Sequence, residues 1–165
     1  VSVDWSKGSK NKASVCKVNL DIDSAKFLFN KLLDGDTAYF TATDSKTKMM
    51  GFFEEKIGYE KFDDGKFGVT KINVSFQQAM SASPWKVTIE NGKASKNVGE
   101  GGKTTIAAGT YEKISVNNVF MNNVTKDKLA ITVLDYIRSW ETAHVKEMEA
   151  ARTEFEKKLK EQRSA

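Results

Sequence analysis

The chain has 165 residues, of which 39% are hydrophobic and 29% are charged, and its formal net charge is +4. This length and balance predict one soluble domain with a core of its own. No apolar run approaches the roughly 20 residues that span a bilayer, so we expect no membrane partner. Cys16 is the only cysteine, which excludes an internal disulfide. A lone cysteine favours a cytoplasmic location, in the host cytoplasm if the protein is viral.

The basic residues are unevenly distributed along the chain. Residues 1–125 contain 17 lysines, no arginine and 14 acidic residues, whereas all three arginines lie in 126–165. Because bidentate recognition of guanine is chiefly a task of arginine, the first 125 residues are poorly suited to reading base sequence. If this region contacts nucleic acid, we expect lysine–phosphate contacts and aromatic stacking.

The start of the chain predicts an arm, a strand and a helix. Residues 1–14 are rich in Lys, Ser, Asn and Gly, a composition typical of a flexible basic arm. Alternating apolar and polar residues predict a strand over 16–22. Asp23 is the expected N-cap of a helix over 24–34, and Gly35 supplies its C-terminal stop.

A run of strands follows this helix. Residues 37–57 have the pattern of a hairpin, and Asn91-Gly92 is a strong turn signal that opens an exposed loop over 91–103. Strands in succession before one late helix favour an α+β domain: an antiparallel sheet of five to seven strands, with a short N-terminal helix and a long C-terminal helix. The predicted strands cover residues 37–43, 48–57, 59–62, 67–76, 85–90, 104–108 and 111–116.

The last forty residues contain the longest predicted element. After Thr125, the expected N-cap, no Gly or Pro occurs before the end of the chain. Apolar positions recur every three or four residues and form one stripe. The stripe continues beyond Val145, where we expect no remaining part of the domain body to cover it. We therefore expect a partner helix, and a second copy of the chain in a homodimer is the simplest source of one.

The expected helix contact identifies a set of side chains and divides the chain into three segments. The side chains expected in the oligomer contact are Trp140, His144, Met148, Phe155 and Leu159. The predicted boundaries are 1–14 for the basic arm, 15–145 for the α+β domain and 146–165 for the distal part of the C-terminal helix.

No motif encodes a reaction, and we expect no enzyme, no cofactor and no metal. The segment 97–104 is reminiscent of a phosphate-binding loop, but Asn97 stands where that motif needs its first glycine, and no helix pattern follows. The single histidine, His144, lies on the apolar stripe of the last helix. No Cys/His cluster in the sequence has the spacing of a zinc site.

Consecutive aromatic residues, Tyr39-Phe40 and Phe52-Phe53, occur within predicted strands. Because side chains alternate between the faces of a sheet, each pair places one ring on either side. The outer ring is either covered by a helix or another subunit, or presented to solvent as a stacking surface. Aromatic rings among lysines hold single-stranded nucleic acid without sequence preference. The residues predicted to bind it are Lys46, Lys48, Phe52, Phe53, Lys56, Tyr59, Lys61, Lys71, Trp85, Lys93, Lys96 and Lys103.

The layout resembles that of the PC4-like and Whirly-like single-stranded DNA-binding proteins, including phage and bacterial versions. The resemblance is carried by the segments 16–22, 37–57 and 67–76 and by the helix through 130–141. It implies a sheet surface that binds DNA and a C-terminal helix that dimerises. We therefore expect a sequence-tolerant protein that binds single-stranded DNA or RNA, and the resemblance favours DNA. The alternative is a non-enzymatic protein-interaction or virion-associated module that docks through its C-terminal helix.

Overall fold

The computed structural model describes residues 15–80, 82–99 and 104–163. Within these ranges the chain forms an antiparallel four-stranded sheet, a separate two-stranded sheet, two short helices and one long C-terminal helix. The predicted α+β class is thereby confirmed. The elements are α1 (Ile22–Leu33), α2 (Thr37–Thr41), β1 (Phe52–Lys61), β2 (Phe67–Phe76), β3 (Trp85–Ala94), β4 (Lys96–Val98), β5 (Thr104–Ile106), β6 (Glu112–Met121) and α3 (Asn123–Arg163).

The large sheet is a meander in the order β1-β2-β3-β6, and each strand pairs with its neighbour antiparallel. The β2–β3 register is unbroken from the Phe67–Ala94 pair to the Phe76–Trp85 pair. The strands β4 and β5 form the small second sheet on the connection between β3 and β6. The strand predicted over 67–76 from its alternating pattern is confirmed, because β2 has the same first and last residues.

The core lies between one face of the large sheet and the helices. Leu28 and Leu32 of α1 meet Val74 of β2 and Trp85 of β3, and Ala130 of α3 closes the cluster. Leu28 and Leu32 lie four residues apart, so they point from the same side of α1 onto the sheet. Burial of such side chains contributes about 1.5–3 kcal/mol each.

The N-termini of α1 and α3 are capped two and three residues before the predicted positions. Asp21, not Asp23, accepts the backbone N–H of Ser24 at 2.8 Å and is the N-cap of α1. The N–H of Thr125 is itself accepted by the Asn122 side chain at 2.8 Å, so Asn122 caps α3. In both places an Asx side chain satisfies a free N–H group in the first turn.

Lys126, in the first turn of α3, joins this helix to the end of α1. Its ammonium donates to the Leu32 carbonyl at 2.5 Å and lies 5.0 Å from the centre of the Trp85 ring. The residue is only 4% exposed. The Leu32 carbonyl also accepts the Gly35 N–H at 3.1 Å, so Lys126 is a second donor to it, and its charge complements the negative end of the helix dipole.

Two predicted strands are wrong. The segment before α1 makes no ladder. It is instead held against the large sheet by the Asn91 side chain, which accepts from the Lys17 N–H (2.9 Å) and donates to the Lys17 carbonyl (2.7 Å). The predicted strand 37–43 is mostly the short helix α2, because Asp36 accepts the N–H of Tyr39 at 3.0 Å and starts a helical turn. Only an isolated bridge between Thr43 and Met50 remains of the predicted hairpin.

The predicted turn at Asn91-Gly92 is also wrong, and so is the loop it opens as far as Val98, where strands take its place. Both residues stay within β3, which continues to Ala94, and they pair with Thr70 and Val69 of β2. Likewise β6 is longer than predicted and reaches Met121. Residues 1–14, the predicted basic arm, lie outside the described part of the chain.

Candidate nucleic-acid interface and helix contact surface

The face of the large sheet that points away from α1 has no buried residue along its two middle rows. We call it the open face. One row consists of Phe53, Asn73, Thr88 and Asn118, which lie opposite one another on β1, β2, β3 and β6. The other row consists of Glu55, Lys71, Glu90 and Val116. A depression of about 470 Å³ lies over both rows, between Phe53, Lys71 and Thr88.

The consecutive pair Phe52-Phe53 divides between the two faces, as predicted. Phe52 is 7% exposed and belongs to the core, whereas Phe53 is half-buried and lines the open face. Phe53 also lines a second depression of about 450 Å³, together with Tyr39 and Lys46. The open face therefore presents one ring beside a lysine-bearing turn.

That turn, residues 44–48, carries two of the predicted lysines. The Asp44 carboxylate accepts the N–H groups of Lys46 (3.0 Å) and Thr47 (2.7 Å), and these hydrogen bonds fix the backbone of the turn. The hydrogen bonds from Thr47 and Lys46 lower the pKa of Asp44. Lys46 and Lys48 are exposed and make no ion pair within the described chain.

The second row of the open face carries a neutralised cluster. Lys71 pairs with Glu55 at 2.9 Å and lies 3.6 Å from the centre of the Tyr111 ring. Glu90 accepts the Tyr111 hydroxyl at 2.6 Å and pairs with Lys113 at 3.1 Å. Burial acts to raise the pKa of Glu90, but the hydrogen bonds from Tyr111 and Lys113 outweigh it and hold this pKa below its usual value. Two lysines thus face two carboxylates, and the cluster offers no spare positive charge.

Other predicted binding residues are separated from the open face. Trp85 is 1% exposed in the core, so neither its ring nor that of Phe52 is accessible for stacking, and both predictions are wrong. Lys56 lies on the helix side of β1, where it pairs with Asp21 (3.1 Å) and Glu54 (2.9 Å).

A third group of predicted residues lies near the small sheet. Tyr59 is almost fully exposed, and the Lys96 ammonium lies 5.4 Å from the centre of its ring. Lys61 is exposed at the end of β1. Lys93 is bonded to Asp64 at 2.6 Å, which raises the pKa of Lys93 and lowers that of Asp64, so this charge is already paired at neutral pH. Lys103 lies outside the described residues.

Two functional candidates on the open face were absent from the sequence prediction. Lys86 and Phe120 lie opposite each other on β3 and β6, one row beyond Thr88. The Lys86 ammonium is 5.8 Å from the centre of the Phe120 ring. The alternation along β3 placed Lys86 and Thr88 on one face, but ending β6 too early removed Phe120 from consideration.

The distal part of α3 forms a separate surface. Every residue from 145 to 157 is exposed, including Met148 (40%) and Phe155 (63%), which continue the stripe of Ala130 and Ile137. Closer to the domain, the Trp140 ring stacks on His144 with 4.5 Å between centres, and His144 Nδ1 is 2.8 Å from the Trp140 carbonyl. The side chain of Leu159 lies outside the described part of the structure.

Comparisons of the chain with protein-family models, with curated proteins and with solved structures find no match. Among the described residues, no group of three or more His, Cys, Asp or Glu side chains is placed to hold a metal ion. The helices in the described ranges include none that is long and apolar enough to cross a membrane. The open face and α3 are therefore the two features of the described chain that suggest a function.

Proposed function

We propose that the protein binds single-stranded nucleic acid, DNA or RNA, on the open face of its sheet and without sequence preference. The observation that supports this proposal best is the position of Phe53. Its half-exposed ring lines both depressions, beside the lysines of the 44–48 turn. Stacking of a base on an aromatic ring contributes about 1–3 kcal/mol and tolerates any base.

Lysines without a carboxylate partner supply the phosphate contacts in this proposal. Lys46, Lys48 and Lys86 form no ion pair in the described part of the chain, unlike Lys56, Lys71 and Lys93. Each neutralised phosphate on a single strand lowers the slope of log K against log salt by about 0.7. Three contacts predict a slope of about −2, which is a roughly 20-fold loss of affinity between about 50 and 200 mM salt.

An anisotropy titration of labelled oligo-dT at two salt concentrations tests the proposal. We expect Phe53→Ala to weaken binding roughly 5- to 150-fold. Replacing Lys46, Lys48 and Lys86 together by Gln should weaken binding and flatten its salt dependence. The matched control replaces Lys128, Lys146 and Lys157, three exposed lysines of α3, by Gln and changes the net charge equally. No binding at low salt, or equal losses in both triple variants, would refute the proposal.

Self-association and a cytoplasmic location belong to the same proposal. The exposed stripe with Met148 and Phe155 supports a homodimer through the distal part of α3, because a narrow apolar seam between charged flanks is typical of a helix that pairs with another helix. We also expect the protein to act without catalysis.

The same stripe favours a second candidate function, a protein-interaction or virion-associated module that docks through α3. Light scattering on the full chain and on a chain truncated after Val145 examines this surface. If truncation abolishes assembly while the full chain binds no oligonucleotide, the interaction module is the better explanation. If truncation lowers oligonucleotide affinity as well, assembly serves nucleic-acid binding.

A further inference from the structure

Two phenylalanine rings lie at opposite edges of the open face. Phe53 is half-buried on β1, and Phe120, which is 43% exposed, is on β6. These two strands are the outermost of the four-stranded sheet. Three strand spacings of about 4.8 Å and one two-residue step of about 6.8 Å place the two Cα atoms about 16 Å apart. A single base therefore cannot contact both rings.

The row that joins the two edges has a flat and polar floor. The Asn73 amide donates to the Met50 carbonyl at 2.8 Å, and the Thr88 hydroxyl donates to Asn118 at 2.7 Å. These hydrogen bonds hold short side chains close to the sheet. The middle of this row consequently carries no long side chain that would block a ligand lying across the strands.

Charge favours a polyanion along this row and limits it on one side. The next row of the open face carries the carboxylates of Glu55 and Glu90, which disfavour a phosphate beside them. Lysines without a carboxylate partner in the described chain lie near the two ends of the row instead: Lys46, Lys48 and Lys86. The Lys86 ammonium is 5.8 Å from the centre of the Phe120 ring, so a ring and a cation occur together at this edge as they do beside Phe53.

We infer that a single strand of nucleic acid crosses all four strands of the sheet along this row, with one base stacked on Phe53 and a later base stacked on Phe120. The inference rests on the proposed binding function and adds to it a second stacking residue, a direction and a minimum length. Neighbouring phosphates in a helical strand are about 3.4 Å apart. A dinucleotide therefore reaches only one of the two rings, whereas an octanucleotide reaches both.

A comparison of oligonucleotide lengths on the full chain tests the second ring. We expect Phe120→Ala to weaken the binding of octathymidylate roughly 5- to 150-fold. The same variant should bind dithymidylate almost as well as wild type, because a dinucleotide can still use Phe53. Val119→Ala is the matched control, since it removes an exposed apolar side chain from the same strand on the helix side. Circular dichroism confirms that each variant is folded.

The outcomes separate this inference from the proposed function. If Phe53→Ala weakens octathymidylate binding but Phe120→Ala does not differ from Val119→Ala, the crossing path is wrong and the proposed function stands. Equal losses for the two oligonucleotide lengths in Phe120→Ala would also overturn the path. No binding of octathymidylate by wild type at low salt refutes both.

Charge removal provides a second test in which the expected result is a gain. Glu55 pairs with Lys71 at 2.9 Å beside the row. Glu55→Gln frees this ammonium, so octathymidylate should bind more tightly, and the slope of log K against log salt should steepen by about 0.7. Glu54→Gln makes the same change in charge on the helix side, where Glu54 pairs with Lys56 at 2.9 Å, and should give no such gain. No gain for Glu55→Gln, or equal gains for both variants, contradicts the path.

Discussion

Replacing Lys126 by Met is the sharpest test of how the helices are joined. Methionine keeps most of the buried stem but removes the ammonium that bonds Leu32 and lies over Trp85. A hydrogen bond from a charged group contributes about 1.5–3 kcal/mol, and the cation–π contact adds about 0.5–1 kcal/mol. The ion pair with Asp127 (2.5 Å) is not counted as a gain, because its Oδ1 is buried without a hydrogen bond while the rest of the side chain reaches solvent.

Relief from burying an ammonium offsets part of this loss. We expect a net loss of about 2 kcal/mol in the free energy of unfolding, or about 4–8 °C in Tm for a chain of this length. Urea unfolding followed by circular dichroism measures it, and Lys128→Met, an exposed neighbour in the same turn, is the control. If Lys126→Met is as stable as Lys128→Met, the Leu32 contact does not stabilise the fold and the reasoning is wrong.

Two further predictions concern a glycine and an N-cap. Gly51 and Gly35 both have positive φ, but only at Gly51 would a Cβ meet backbone, 2.3 Å from the Val74 carbonyl oxygen. Gly35→Ala should lower the free energy of unfolding by about 1 kcal/mol, and Gly51→Ala should lower it by more. If urea unfolding shows equal losses in the free energy of unfolding for the two variants, the backbone before β1 moves to make room for the Cβ. The hydrogen bond from the Ser24 N–H and the ion pair with Lys56 lower the pKa of Asp21 from 3.8 to about 2, so the carboxylate stabilises the fold above pH 4 and loses this effect as the pH falls towards 2. Asp21→Asn keeps a capping oxygen but removes the charge. The difference in unfolding free energy between wild type and this variant should therefore be present at pH 7 and vanish near pH 2. A constant difference across that range would contradict the charge effect.

The sequence pattern was sufficient to predict an element where a single hydrophobic period, helical or strand-like, ran through the whole segment. The stripe of α1, the alternation of β2 and the uninterrupted end of the chain each predicted an element that the structure contains. The alternation also predicted that Phe52 and Phe53 lie on opposite faces, but only the structure shows that Phe52 is the buried one. These features depend only on neighbours in sequence.

Tertiary contacts decided the elements that sequence missed. Residues 37–41 alternate like a strand, but Asp36 caps them as a helix and Phe40 enters the core. Gly92 lies within a strand and not in the turn that Asn-Gly predicted. A Cβ at this position would meet the Tyr111 ring at 2.6 Å, so the glycine serves a close approach within the strand.

The charge state of the candidate site could not be predicted from sequence for a related reason. Lys93 finds Asp64 from 29 residues away, and Lys66 finds Glu112 from 46. Counting lysines near aromatic residues therefore overestimated the free positive charge. Only the strand register shows which lysines remain available on the open face.

Because α3 is uninterrupted, its distal part moves together with its first turns as one rigid element. No Gly or Pro interrupts the helix, and the 19 residues after His144 extend about 28 Å at 1.5 Å per residue. From Ala130 to Arg163 the helix extends about 50 Å, so a tilt of about 10° where Lys126 and Ala130 anchor it would move its tip by about 9 Å. A small repacking beside Trp85 would thus be magnified at Phe155, so the orientation of anything bound there is set in the core of the domain.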